Sequence, residues 1–149
     1  LISYFEDIQE FIVAEEIPGV VGPGGGDGGE MPAAPRILGC GALHVMWDDL
    51  AEVRTLAVHP DAVGTGLGSA ILRELIAQAR EMGLKRVFCL TFEESFFGAH
   101  GFEPIEGTPV GADAFSEMLR SHDDGLAAFL DLARVKPNTL GNTRMLLHL

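Results

Sequence analysis

The chain has 149 residues, 47% of them hydrophobic, which suits one globular domain over 1–149 with an internal core. Its formal charge of −12, from 22 acidic and 10 basic residues, argues against nucleic-acid and anionic-membrane partners, because both need basic surface. The same balance makes each cation informative: an anionic ligand must be held by backbone amides and a small set of arginines.

Residues 1–8, LISYFEDI, read as the end of a helix with Ile2, Phe5 and Ile8 on one face. Phe11 to Glu15 is a short strand. Residues 18–35, PGVVGPGGGDGGEMPAAP, form a flexible Gly/Pro-rich surface loop. This loop is no phosphate site, since prolines and a strand follow it rather than a helix. Ile37 to Trp47 and Glu52 to Val58 are strands joined at the acidic turn Asp48-Asp49. Gly66 to Met82 is an amphipathic helix stopped by Gly83. The run VFCLTF after Lys85-Arg86 is expected to pair parallel to the preceding strand, completing a βαβ unit. Ser95 to His100 reads as a short helix, Phe102 to Glu106 as a strand, and the tail as two helical stretches before a last strand from Arg144 to Leu149. No run is apolar for long enough to span a bilayer, and no signal-peptide pattern opens the chain. Cys40 and Cys89 lie in strand-like runs typical of buried thiols rather than a disulfide, so a cytoplasmic protein is expected.

The densest signal is LAVHPDAVGTGLGSA, from Leu56 to Ala70. An apolar run meets a proline-marked turn, then Gly64, Gly66 and Gly68 lead into helical spacing at Leu67, Ile71, Leu75 and Ala79. Glycines at a helix start allow close backbone approach to a ligand, and the first N–H groups of the helix have no intrahelical partner. With the positive end of the helix dipole they make a cradle for pyrophosphate, spanning Val63, Gly64, Thr65, Gly66, Leu67, Gly68 and Ser69. A P-loop is excluded because no lysine follows Gly68. A Rossmann turn is disfavoured because five residues, His59 to Val63, separate strand and glycines, and the spacing is GxGxG; Glu93 alone sits where a ribose-binding acid would.

This segment resembles the acetyl-CoA motif of the GNAT superfamily of N-acetyltransferases, a strand followed by (Arg/Gln)-Gly-x-Gly-x-(Gly/Ala), with Val63 where Arg or Gln is usual. Phe96-Phe97-Gly98-Ala99-His100-Gly101-Phe102 resembles a second motif of that family, Phe-Tyr-x-x-x-Gly-Phe, with Phe97 at the tyrosine position. The resemblance implies an α/β (α+β) fold: a mixed, mostly antiparallel sheet with splayed central strands and flanking helices, here with the usual first strand and helix missing. It implies acetyl-CoA as donor, held by Leu56, Ala57, Val58, the cradle, Phe96 and Phe97, and a backbone N–H near Ala57 or Val58 facing the thioester carbonyl.

The segments EFIVAEE, GCGALHV, AEVRTLAVHPDAVGTGLGSAIL, VFCLTFEESFFGAHGFEPIE and KPNTLGNTRMLL are similar to the acetyltransferase module of N-acetylglutamate synthases, particularly the short stand-alone kind. The implied reaction transfers acetyl to the α-amino group of L-glutamate, or of L-glutamine, at the first step of arginine biosynthesis. Glu52, at a position where some family members keep a catalytic glutamate, is the candidate general base. Arg54, two residues along the same strand, is the candidate partner for a substrate carboxylate. Lys136, Asn142 and Arg144 lie in the segment resembling the synthases' substrate-binding tail. Phe97 cannot supply the proton that the family's tyrosine often gives the leaving thiolate. His44, His59 and His100 show no metal-ligand spacing, and no metal is expected. The family is often dimeric, which leaves a homodimer open. Two rival readings stand beside this one: an acetyltransferase for another small amine or a peptide, and a non-catalytic acetyl-CoA sensor, which the Val63 and Phe97 departures favour and which Glu52 and the intact glycines oppose.

Overall fold

The computed structural model describes residues 10–17, 34–107, 120, 129 and 141–149. The helix expected over 1–8, most of the 18–35 loop, the helical stretches of the tail and Lys136 lie outside these residues.

Six strands form one sheet in the order β1-β2-β3-β4-β6-β5. They are β1 (Glu10–Glu15), β2 (Ile37–Trp47), β3 (Leu50–Val58), β4 (Arg86–Thr91), β5 (Glu103–Pro104) and β6 (Thr143–His148). Only β3 and β4 run parallel; every other pair is antiparallel. The sheet is thus mixed and mostly antiparallel, with the expected parallel pair at its centre. β3 begins at Leu50, two residues before the expected Glu52, because Asp48 and Asp49 alone make the turn from β2. Between β3 and β4 the chain makes a 3-10 turn at Pro60–Ala62 and a helix, α1 (Leu67–Glu81). The short α2 (Glu94–Gly98) follows β4.

Helical spacing puts Ile71, Leu72, Leu75, Ile76 and Ala79 on the buried face of α1. They pack against Leu43, Ala51, Val53, Val87, Cys89, Met145 and Leu147 of the sheet. Two glycines on β2 make this approach close. A Cβ on Gly41 would lie 2.5 Å from Ile71 Cγ2 and 2.9 Å from Leu75 Cδ1, and one on Gly39 would lie 2.8 Å from Ile71 Cδ1. The opposite face of the sheet carries a second apolar cluster of Met46, Leu50, Phe88, Phe129 and Leu146.

Two irregularities shape the centre of the sheet. Pairing of β2 with β3 runs Ala42↔Thr55 and then Leu43↔Val53, so Arg54 is an extra residue on β3. Such a bulge reverses the side-chain alternation. Before it, Ala51 and Val53 face α1; after it, Leu56 packs on the same core, and Val58 Cγ2 lies 3.5 Å from where a Gly68 Cβ would sit. The second irregularity is a splay. β3 and β4 pair only at Leu50↔Arg86, Ala51↔Val87 and Glu52↔Phe88, although β3 continues to Val58 and β4 to Thr91. The two strands part just where the bulge begins.

Candidate functional site

The parting strands open a cleft of about 760 Å³. Its β3 wall is Val53, Arg54, Leu56 and Val58, and its β4 wall is Cys89, Leu90 and Thr91, continued by Glu93. The glycine loop closes one end through Ala62, Val63, Gly64, Gly66, Gly68 and Ser69, and Phe96 and Phe97 of α2 line the remainder.

Gly64 and Gly66 have φ of 79° and 86°, the left-handed region that side-chain-bearing residues rarely adopt. A Cβ at either would meet nothing within 4 Å, so the turn needs glycine for its conformation rather than for space. The first intrahelical bond of α1 runs from Ala70 N–H to the Gly66 carbonyl, 3.0 Å. The N–H groups of Leu67, Gly68 and Ser69 precede it and have no carbonyl within the helix. They sit at the positive end of the α1 dipole, at the cleft. Along β3, pairing with β4 ends at Glu52, and the strand beyond it borders the same cleft. The helix donors and this strand fit an extended ligand with a phosphate end.

Of the expected cofactor residues, Leu56, Val58, Val63, Gly64, Gly66, Gly68, Ser69, Phe96 and Phe97 line the cleft. Ala57, Thr65 and Leu67 do not. The alternation after the bulge turns the Ala57 side chain away, Thr65 Oγ1 donates to the Ala62 carbonyl at 2.6 Å, and Leu67 packs on the core. Phe97 is buried and makes edge-on contacts with Phe96 and Phe102, each at 5.2 Å between ring centroids.

The candidate acceptor residues divide. Glu52 is buried, 8% exposed, on the sheet face turned away from α1 and directly opposite His44. Its Oε2 accepts from Arg54 Nε at 2.8 Å. Arg54 lines the cleft, and Glu52 is not one of its lining residues. Arg144 stands opposite Leu90 on the same sheet face as Glu52, but its Nη2 donates to the carbonyls of Gly107, at 3.0 Å, and Phe129. Asn142 is half-buried just before β6.

Cys89, Leu90, Thr91 and Glu93 were not among the sequence candidates. The splay brings them to the cleft, and the available signal was their place at the end of the strand after the cradle helix. Burial, reinforced by the Glu52 charge, pushes the Cys89 thiol up to about 12. Cys89 therefore stays protonated near neutrality and is no nucleophile. Among the described residues, no group of three His, Cys, Asp or Glu gathers in a metal-binding arrangement, and no helix is long and apolar enough to cross a membrane.

Comparison with known proteins agrees with this geometry. The acetyltransferase (GNAT) family model matches residues 6–102. A Mycobacterium tuberculosis protein named amino-acid acetyltransferase is 52% identical over 147 residues, 99% of this chain and 76% of its own length. The crystal structure of a Mycobacterium tuberculosis protein in complex with CoA and NLQ superposes with a TM-score of 0.80 at 52% identity, covering 99% of this chain and 81% of that one. An amino-acid acetyltransferase of Edwardsiella ictaluri is 37% identical over 71 residues, 46% of this chain but only 16% of that protein. The N-acetylglutamate synthase of Neisseria gonorrhoeae, solved with coenzyme A and N-acetyl-glutamate, shares the fold at a TM-score of 0.54 and 23% identity, over 76% of this chain and 23% of that one.

Proposed function

The chain belongs to the acetyltransferase (GNAT) family, with acetyl-CoA as donor, and on that premise we propose that its acceptor is the α-amino group of L-glutamate, with L-glutamine as the nearest alternative. It is an acetyl-CoA acyltransferase of the amino-acid acetyltransferase type. The product N-acetylglutamate would enter arginine biosynthesis at its first step. The observation that carries the reading is a guanidinium, Arg54, set by a strand bulge into the wall of the cleft between the splayed strands.

Bound acetyl-CoA supplies an acetyl group activated as a thioester. The N–H groups of Leu67, Gly68 and Ser69 suit its pyrophosphate. Past the end of its pairing with β4, the backbone of β3 borders the cleft where it would meet the thioester carbonyl. Arg54 matches a substrate carboxylate, because a planar guanidinium binds carboxylate through two parallel hydrogen bonds. Glu52 holds Arg54 in place and, not itself lining the cleft, takes the ammonium proton through an intervening water. Arg144 shares the Glu52 face and is the second guanidinium on offer, provided it exchanges the Gly107 and Phe129 carbonyls for a carboxylate. Phe97 has no proton to give and Cys89 keeps its own, so the proton for the leaving sulfur falls to water.

The test is release of CoA thiol from acetyl-CoA with each common amino acid supplied separately. Turnover with glutamate or glutamine, lost in Arg54→Ala, supports the proposal. Binding of acetyl-CoA without turnover on any amino acid overturns it in favour of a peptide acceptor or a sensor.

A further inference from the structure

We propose that His100 is a positioning residue for the phosphate end of the cofactor, acting through the hydroxyl of Ser69; the role rests on the cradle assignment above. His100 follows α2, and its Nε2 lies 3.1 Å from Ser69 Oγ on the first turn of α1. Ser69 lines the cleft, and so does Phe96, whose ring lies 5.2 Å from the imidazole at a tilt of 56°. The pair joins two segments 31 residues apart across the rim of the cradle.

The chemistry follows from what a serine hydroxyl carries: one hydrogen and two lone pairs. When Nε2 bears the imidazole hydrogen, it donates to Oγ, and the hydroxyl hydrogen is left to point at a ligand in the cleft. When Nε2 is bare, the ring takes the hydroxyl hydrogen, and Oγ turns only lone pairs toward an anion. Phosphate in the cradle therefore selects the first arrangement. Val63 stands where the family motif carries Arg or Gln, is 70% exposed and has no side-chain donor. Ser69, oriented by His100, supplies a donor that Val63 cannot.

Burial, and then the charge of Arg73 one turn along α1, hold His100 below its ordinary value of 6.5, which favours the neutral ring. The neighbouring α2 places the Phe96 ring against it. Phosphate arriving at Ser69 opposes the Arg73 field, so binding should raise the His100 pKa.

The experiment is calorimetric titration of CoA into the wild type, Ser69→Ala, His100→Phe, His100→Gln and the Ser69→Ala/His100→Phe double variant. Phenylalanine keeps a ring against Phe96, and glutamine keeps an N–H donor. Ser69→Ala and His100→Phe should each weaken CoA roughly tenfold, the scale of a hydrogen bond to a charged group. The double variant should be no weaker than either single one, because the two residues act as one donor. His100→Gln should recover most of the loss. His100→Phe with wild-type affinity, or a loss that adds to that of Ser69→Ala, overturns the inference. Should His100→Phe fail to fold, NMR titration of His100 in the wild type decides: a pKa raised by CoA supports the role, and an unmoved pKa overturns it. Wild-type protein that binds no CoA removes the cradle itself, and the inference with it, whereas failure of the acceptor assay alone leaves this pair untouched.

Discussion

Arg54 donates its Nε to Glu52 across 2.8 Å at the position where β3 carries one residue more than β2, and there the two central strands begin to part. The bulge and the ion pair are one device. Arg54 is the extra residue, at the point where the alternation that turns Ala51 and Val53 into the core shifts so that Leu56 faces it too, and the buried carboxylate holds the guanidinium at the cleft. If that guanidinium binds the acceptor, Arg54→Ala should raise KM for glutamate by roughly 30-fold or more while the Kd for CoA stays near the wild-type value. Steady-state kinetics with calorimetry would show it. Equal losses in both constants would mean that Arg54 shapes the cleft as a whole.

Glu52→Gln separates two roles for one carboxylate. An amide keeps an oxygen that can accept from Arg54 Nε but takes no proton from an ammonium group. As base, Glu52 should cost about 100-fold in kcat on this substitution with little change in KM. As holder of Arg54 alone, it should cost KM and leave kcat nearly intact. Glu52→Ala tests the structural side: it removes a carboxylate partner from a guanidinium in a site where the paired side chains are 16% and 10% exposed, which should destabilise the fold by about 2 kcal/mol. Chemical denaturation reads that loss.

Cys89 gives the fold an alkaline limit. Its thiol is raised from the usual 9.0 to about 12 by burial and then by the Glu52 charge, so the folded state favours the protonated form. The stabilisation is complete below pH 9 and is lost as pH rises from there through 12, because only the unfolded chain then releases the proton readily. Denaturation midpoints between pH 8 and 11 should fall in the wild type and fall less steeply in Cys89→Ala, whatever the cavity costs at neutral pH. The same substitution should leave a CoA-dependent activity, since a protonated thiol carries no acetyl group.

The parts of this architecture that depend on local chemistry were legible in the sequence. Gly64 and Gly66 announce a turn because backbone at positive φ has few alternatives, and the spacing of Ile71, Leu75 and Ala79 announces the buried face of α1. The parallel pairing of β4 with β3 followed from the helix between them. The bulge at Arg54 left no mark, since one extra residue on a strand looks like any other strand residue until its partner is known. The β4 wall of Cys89, Leu90, Thr91 and Glu93 was hidden for a related reason: it becomes a wall only because the strands separate. Arg144 marks the reverse case. Its sequence context suggested a ligand, and its Nη2 meets the Gly107 and Phe129 carbonyls, a tertiary contact that spacing cannot reveal.

The glycines of the chain serve two different ends, and alanine substitutions should tell them apart. At Gly41 the conformation is ordinary but the space is taken: a Cβ would lie 2.5 Å from Ile71 Cγ2, on the line where α1 rests on the sheet. Gly41→Ala should therefore cost about 1–3 kcal/mol of stability, the scale of overpacking, and reach CoA binding only through displacement of α1. At Gly66 the space is open but φ is 86°, so Gly66→Ala strains the backbone by about 1–2 kcal/mol and deforms the cradle directly. CoA affinity should then fall by more than stability does. Gly68 meets neither limit, since an added methyl would sit at ordinary contact distance, 3.5 Å from Val58 Cγ2 and 3.7 Å from Phe96. Gly68→Ala should leave both thermal midpoint and CoA affinity close to wild type. A Gly68→Ala variant that loses CoA while Gly66→Ala keeps it would mean that the ligand approaches the helix start more closely than the loop, and would move the cradle from the loop onto the first turn of α1.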